Sequence, residues 1–213
     1  MDQDFWHEKW NSNQIGFHEA KPNPLLVENL PALGLAPGAR LFLPLCGKSL
    51  DIGWLLAQGH RVAGAELSRL AIEQLFAELG VEPQITAAGP LERFEAGPLT
   101  VFVGDIFDLD RATLGPVDAV YDRAALVALP DGLRARYADH LVALTGAAPQ
   151  LLVTFEYDQA VMPGPPFSVD ADEVRRRYER AYDLALVTAQ EVPGGLKGVC
   201  PAREAVWRLT PRG

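Results

Sequence analysis

Residues 40–66 read Arg40-Leu-Phe-Leu-Pro-Leu-Cys-Gly-Lys-Ser49, then Leu50-Asp-Ile-Gly-Trp-Leu-Leu-Ala-Gln-Gly-His60, then Arg61-Val-Ala-Gly-Ala-Glu66. Leu41–Leu45 is a short apolar run, the pattern of a strand covered on both faces. Pro44 and Gly47 stop it and turn the chain. Ser49 can cap a following helix by accepting an orphan backbone N–H. That helix carries Ile52, Leu55 and Leu56 on one face and ends near Gly59. Val62–Ala65 is a second strand, with Glu66 at its carboxyl end. In open parallel α/β sheets ligands bind beyond the carboxyl ends of the strands. A carboxylate there, about 20 residues past the first turn, can accept both ribose hydroxyls. The spacing predicts that role for Glu66. The alternative is a solvated acid at a strand end.

The turn excludes two nucleotide classes. Gly47-Lys48-Ser49 resembles the end of a phosphate-binding P-loop, but the glycine required five residues earlier is replaced by Phe42. The dinucleotide pattern G-x-G-x-x-G is absent, because Gly47 is the only glycine of the turn. A cofactor with a ribose and no phosphate remains, and S-adenosylmethionine fits.

The wider composition agrees with a small-molecule enzyme. The chain has 213 residues, enough for one α/β domain with a substantial core. Its net charge of −9 argues against a nucleic-acid surface, which needs a basic footprint. No apolar run approaches a membrane span and no signal-peptide pattern opens the chain. Cys46 and Cys200 form neither a disulfide framework nor a metal motif, and the histidines have no metal spacing. A cytoplasmic enzyme without a metal is expected, and the acidic surface suits a monomer. Cys46 reads as a small packing residue and Cys200 as a surface thiol.

Outward from the organising stretch, residues 1–21 hold Phe5, Trp6, Trp10 and Phe17, dense for a terminal segment. Trp6 and Trp10 stack on one helix face. They read either as packing or as an aromatic lid over the strand ends, and the two are compatible. Pro22–Leu35 is a packing helix. Ser68 caps a helix to about Leu79, ended by Gly80. Residues 81–98 form an irregular excursion or a hairpin. Leu99–Val103 is a third strand, after which Asp105 could meet an adenine amino group and Ile106 its face. Alternatively, Asp105 caps a turn before a short helix at Leu109–Leu114. Val117–Tyr121 is a fourth strand, leading to Asp122-Arg123. Arg123 could hold a carboxylate or steady an anionic acceptor, or form a surface pair with Asp122. A helix at Asp131–Leu144, a strand at Gln150–Tyr157, the rigid loop Met162–Phe167, a charged helix at Asp170–Ala181 and a closing strand pair at Leu184–Val192 and Glu204–Leu209 complete the chain. The pattern is a single three-layer α/β domain over residues 1–213, its sheet mostly parallel with one antiparallel strand.

The chain resembles the thiopurine S-methyltransferase family of S-adenosylmethionine-dependent methyltransferases. The segments that carry the resemblance are Trp6-x-x-x-Trp10, Gly16-Phe17-His18, Leu43–Asp51, Gly59-His60 with Glu66-Leu67-Ser68, Asp105–Leu109, Tyr121–Leu126 and Pro163–Phe167. The resemblance implies a Rossmann-like seven-stranded methyltransferase sheet and transfer of a methyl group to aromatic or heterocyclic thiols such as thiopurines. It implies that Trp6, Trp10 and Leu45 lie at the cofactor, that Glu66 binds its ribose, and that Asp105 and Ile106 border its adenine. Arg123 would reach the methionine end and Phe17 would lie along the acceptor. No residue is expected to act as a nucleophile, since the sulfonium is already an activated donor and a thiol is readily ionised. Relatives of the mammalian type carry an Arg-His-Lys run before the last strand, where this chain has Pro193-Gly194-Gly195. Lys197 or Arg203 could stand in for that arginine. The alternative acceptor is a selenium or tellurium oxyanion, or another small nucleophile, in detoxification.

Overall fold

The first strand, β1, spans Arg40–Leu43, and its neighbours are all reached by crossovers. The computed structural model describes residues 3–12 and 21–213. From β1 the chain enters helix α3 (Leu50–Ala57), then strand β2 (Arg61–Glu66), which pairs parallel to β1. Ser49 caps α3 by accepting the Asp51 N–H, and Ser68 caps α4 (Arg69–Glu78) by accepting the Ala71 N–H, as their positions before apolar-periodic runs predict. Strand β5 (Leu99–Val103) continues outward beside β2. The chain then returns: β6 (Ala119–Asp122) pairs parallel on the other side of β1, followed by helix α6 (Asp131–Thr145) and strand β7 (Gln150–Tyr157). The order therefore reverses between β1 and β6, which makes a crevice at their carboxyl ends.

Side-chain alternation splits the core into two layers. Leu41 and Leu43 of β1 pack with Leu25 and Leu26 of α2 (Pro24–Asn29), Ile52 and Leu55 of α3, and Ile72 and Phe76 of α4. Phe42 faces the other way, onto Tyr137 and Leu141 of α6 and Val174 and Tyr178 of α7 (Ala171–Tyr178).

The sheet departs from the expected seven strands with one antiparallel member. It has nine among the described residues, in the order β3-β4-β5-β2-β1-β6-β7-β9-β8. The two extra strands are the hairpin β3 (Gln84–Ala88) and β4 (Leu91–Ala96), so β4 as well as the late β9 (Ala202–Pro211) runs against the parallel set. Gly89-Pro90 and Gly97-Pro98 make the two connections, with Gly89 at φ +65° and Gly97 at φ +55°. A glycine at positive φ in a two-residue loop is hairpin chemistry. Of the two readings of residues 81–98, the hairpin is the one that forms, and its strand β3 is an exposed edge with no buried position. Strand β8 (Tyr182–Glu191) is the opposite edge and, among the described residues, pairs only with β9. Among the described residues no helix is long and apolar enough to cross a membrane.

Candidate active site

Four neighbouring strands, β5, β2, β1 and β6, deliver the predicted residues to one edge. Neighbouring strands lie about 4.8 Å apart, so these four ends span about 14 Å, the length of a nucleoside carrying a short amino-acid chain. Asp105 and Ile106 follow β5, Glu66 ends β2, Leu45 follows β1 and Arg123 follows β6.

Glu66 is 6% exposed and is held by backbone donors. Its Oε2 accepts the Gly47 N–H at 2.8 Å and its Oε1 accepts the Ser68 N–H at 2.9 Å. Burial pushes its pKa up, and the hydrogen bonds from Ser68, Gly47 and Leu67 oppose that shift. A carboxylate oxygen can accept more than one hydrogen bond. Each oxygen therefore keeps acceptor capacity for a ribose hydroxyl.

The turn between β1 and α3 is tightly shaped. Leu45 takes φ +46° and Gly47 φ +51°, and the Cys46 N–H donates to the Ala65 carbonyl at 3.0 Å. A Cβ at Gly47 would meet Trp10 Cζ2 at 3.1 Å. Trp10 therefore lies against this turn, buried to 5% exposure at the end of helix α1 (Gln3–Asn11). Trp6, one turn earlier, is half-buried with its ring edge-on to Phe5. Phe17 lies outside the described residues. The Cys46 thiol is pushed well up by burial and by the nearby Glu66, which keeps it protonated and unreactive. These features fit S-adenosylmethionine: a buried, pre-oriented carboxylate at the second strand, and a glycine turn with an indole where a side chain would intrude.

After β5, Asp105 caps a short 3-10 turn over Ile106–Asp108 by accepting the Phe107 N–H at 3.0 Å. Ile106 is buried, and a ring nitrogen of His140 lies 2.8 Å from its carbonyl. Arg136 stacks on Phe107 at 3.8 Å. Helix α6 thus braces this turn from behind.

Beyond β1, Asp122 is fully buried at the end of β6. It accepts the Leu126 N–H at 3.0 Å and the Tyr137 hydroxyl at 2.7 Å. Burial raises its pKa to about 6. Arg123, next in the chain, is half-buried. The loop Met162–Phe167 meets the same turn at Val127. The Phe167 N–H donates to the Val127 carbonyl at 2.6 Å, and the Tyr157 hydroxyl donates to the Pro166 carbonyl at 2.6 Å. Lys197 donates from Nζ to the Pro165 carbonyl at 2.7 Å, whereas Arg203 is exposed and lies 3.8 Å from Glu191. Of these two cations, Lys197 is the one tied to the Met162–Phe167 loop. Cys200 is buried at 3% exposure with Met162, Leu196 and Ala202, so the expected surface thiol is instead part of a small cluster under the late loop.

Sequence reasoning missed Asp122 as an anchor. The signal was an acid ending a wholly apolar run, where only hydrogen-bonded carboxylates survive. On the charged helix α7, Arg175 and Arg176 are exposed and Arg177 is half-buried. Arg177 pairs with Glu173 and Asp131, beside the buried bidentate pair of Arg134 and Glu173.

Comparison with known proteins shows the family and the fold. The family model described as thiopurine S-methyltransferase matches residues 1–211. A thiopurine S-methyltransferase of Xanthobacter autotrophicus is 61% identical over 98% of this chain and 99% of its own. The corresponding protein of Gluconobacter oxydans is 52% identical over 97% and 94%. Among solved structures, the 1,6-didemethyltoxoflavin-N1-methyltransferase of Burkholderia thailandensis, with S-adenosylhomocysteine bound, superposes with a TM-score of 0.66 at 17% identity, over 98% of this chain and 87% of that one. At that identity it shows the shared α/β fold.

Proposed function

The chain belongs to the thiopurine S-methyltransferase family, and from that premise we propose that it transfers a methyl group from S-adenosylmethionine to the sulfur of an aromatic or heterocyclic thiol such as a thiopurine. The observation that carries the reading is the Glu66 carboxylate, buried at the carboxyl end of β2 and oriented by the Gly47 and Ser68 N–H groups.

In this reading Glu66 accepts the ribose hydroxyls, Asp105 and Ile106 border the adenine, and Leu45 and Trp10 line the methionine and ribose side. When bound, S-adenosylmethionine supplies a methyl group already activated on a sulfonium. The protein's task is then to align and to exclude water. Arg123 places a guanidinium at the methionine end, where it favours the thiolate of the acceptor over the thiol. Trp6 and Trp10 serve as an aromatic lid that keeps water from the reacting groups, and Phe17 is assigned to the acceptor. No side chain acts as a nucleophile. Residues 1–213 work as one catalytic domain, as a monomer in the cytoplasm.

The reading is tested by calorimetric titration with S-adenosylhomocysteine. Glu66→Ala should bind it about 1.5–3 kcal/mol more weakly than wild type, the value of hydrogen bonds to a charged group. Unchanged affinity in a folded variant would remove Glu66 from the site.

A further inference from the structure

The segment Asp122–Ala128 touches both parts of the acceptor side. It carries Arg123, and the Val127 carbonyl accepts the Phe167 N–H at 2.6 Å, so the proline-rich loop hangs from the same turn. Ala124 takes φ +61°. A non-glycine residue holds that conformation only where its surroundings impose it. The imposing group is Asp122. One of its oxygens accepts the Leu126 N–H, four residues on, and closes the turn. The other accepts the Tyr137 hydroxyl and fixes the turn to α6. Both donors are neutral, and a carboxylate buried among neutral donors is costly compared with an apolar side chain. Nothing in the packing of β6 needs a charge at that position, since Ala119, Val120 and Tyr121 before it fill the two core layers.

We infer that Asp122 is a positioning residue for methyl transfer: through Leu126 and Tyr137 it sets the turn that aims Arg123 at the acceptor and suspends the Pro163–Phe167 loop beside it. The inference rests on the methyltransferase reading above. Asp122 touches no reacting atom and acts through Arg123 and the loop. The cofactor-side groups are held independently, Glu66 by Gly47 and Ser68 and Asp105 by Phe107. Loss of Asp122 should therefore disturb the acceptor and leave the cofactor in place.

The experiment uses full-length wild type, Asp122→Ala, Asp122→Asn and Tyr137→Phe. S-adenosylhomocysteine affinity is measured by calorimetry, and kcat and KM for 6-mercaptopurine at saturating S-adenosylmethionine. In Asp122→Ala, kcat/KM should fall by about 100-fold, the scale of an ångström-sized misplacement, with cofactor affinity retained. Asp122→Asn keeps an acceptor for the Leu126 N–H and should recover most of kcat. Tyr137→Phe should fall between them. If Asp122→Ala does not fold, Tyr137→Phe carries the test. Kinetic constants equal to wild type in folded Asp122→Ala or in Tyr137→Phe would overturn the inference, as would a parallel loss of cofactor affinity, which marks a general structural role. Wild type that transfers no methyl group would fail the functional reading and the inference with it. Active wild type with unaffected variants would fail the inference alone.

Discussion

Trp10 lies over Gly47, with its Cζ2 atom 3.1 Å from where a glycine Cβ would stand. The N-terminal helix is thereby joined to the turn whose Gly47 N–H orients Glu66. Gly47→Ala would have to hold φ +51°, at about 1–2 kcal/mol for an L-residue, and push the indole aside. We expect urea unfolding to show that loss and calorimetry to show weaker binding of S-adenosylhomocysteine. A variant equal to wild type in both would separate Trp10 from the cofactor turn.

Asp122 gives the fold a pH dependence. Its folded pKa of about 6 lies above the ordinary 3.9 of an unfolded aspartate, so the native state holds the extra proton between those values. The stabilisation from the protonated form is complete below about pH 4 and is lost as pH rises through 6. Tyr137 of α6 and Tyr178 of α7 face it, and Arg123 adjoins it in sequence. Relative to Asp122→Asn, wild type should lose about 1 kcal/mol of unfolding free energy between pH 5 and 7.5. A difference that stays flat, or runs the other way, would show that the carboxylate is ionised throughout.

Lys197 ties the late loop to the proline-rich loop through the Pro165 carbonyl. Lys197→Met removes one hydrogen bond worth about 1 kcal/mol, so KM for the acceptor should rise about fivefold with cofactor affinity unchanged. Complete loss of kcat would instead place Lys197 at the reacting groups.

Arg134 and Glu173 form a buried bidentate pair between α6 and α7, and Arg134 also faces the Phe167 ring at 5.7 Å. Arg134→Met leaves Glu173 buried with Arg177 as its remaining cation partner, 3.1 Å away. A loss of about 3 kcal/mol in chemical denaturation is expected, and Arg134→Met with Glu173→Met should restore much of it. A single variant as stable as wild type would show that Arg177 suffices.

The parallel strands were legible because their apolar runs are short, bounded by turn residues and separated by helical periods. Gln150–Tyr157 and Leu99–Val103 occupy the residues expected of them. So were the caps Ser49 and Ser68, whose chemistry is local. The β3–β4 hairpin was only half-legible, since Gln84–Ala88 has no buried face to impose alternation. For the candidate site, strand ends and motifs located Leu45, Glu66, Asp105, Ile106 and Arg123 on one edge. The partners that set the turns were not legible. The distances from Asp122 to Tyr137, from Gly47 to Trp10 and from Lys197 to Pro165 are made by tertiary packing, which no spacing along the chain encodes.

The most direct test is methyl transfer from labelled S-adenosylmethionine to 6-mercaptopurine, with the methylated product identified and a no-enzyme control. The account predicts enzyme-dependent label on sulfur, and therefore that an Arg-His-Lys run before the last strand is dispensable for an aromatic thiol. A folded protein that binds S-adenosylhomocysteine and leaves 6-mercaptopurine and other aromatic thiols unmethylated would contradict it.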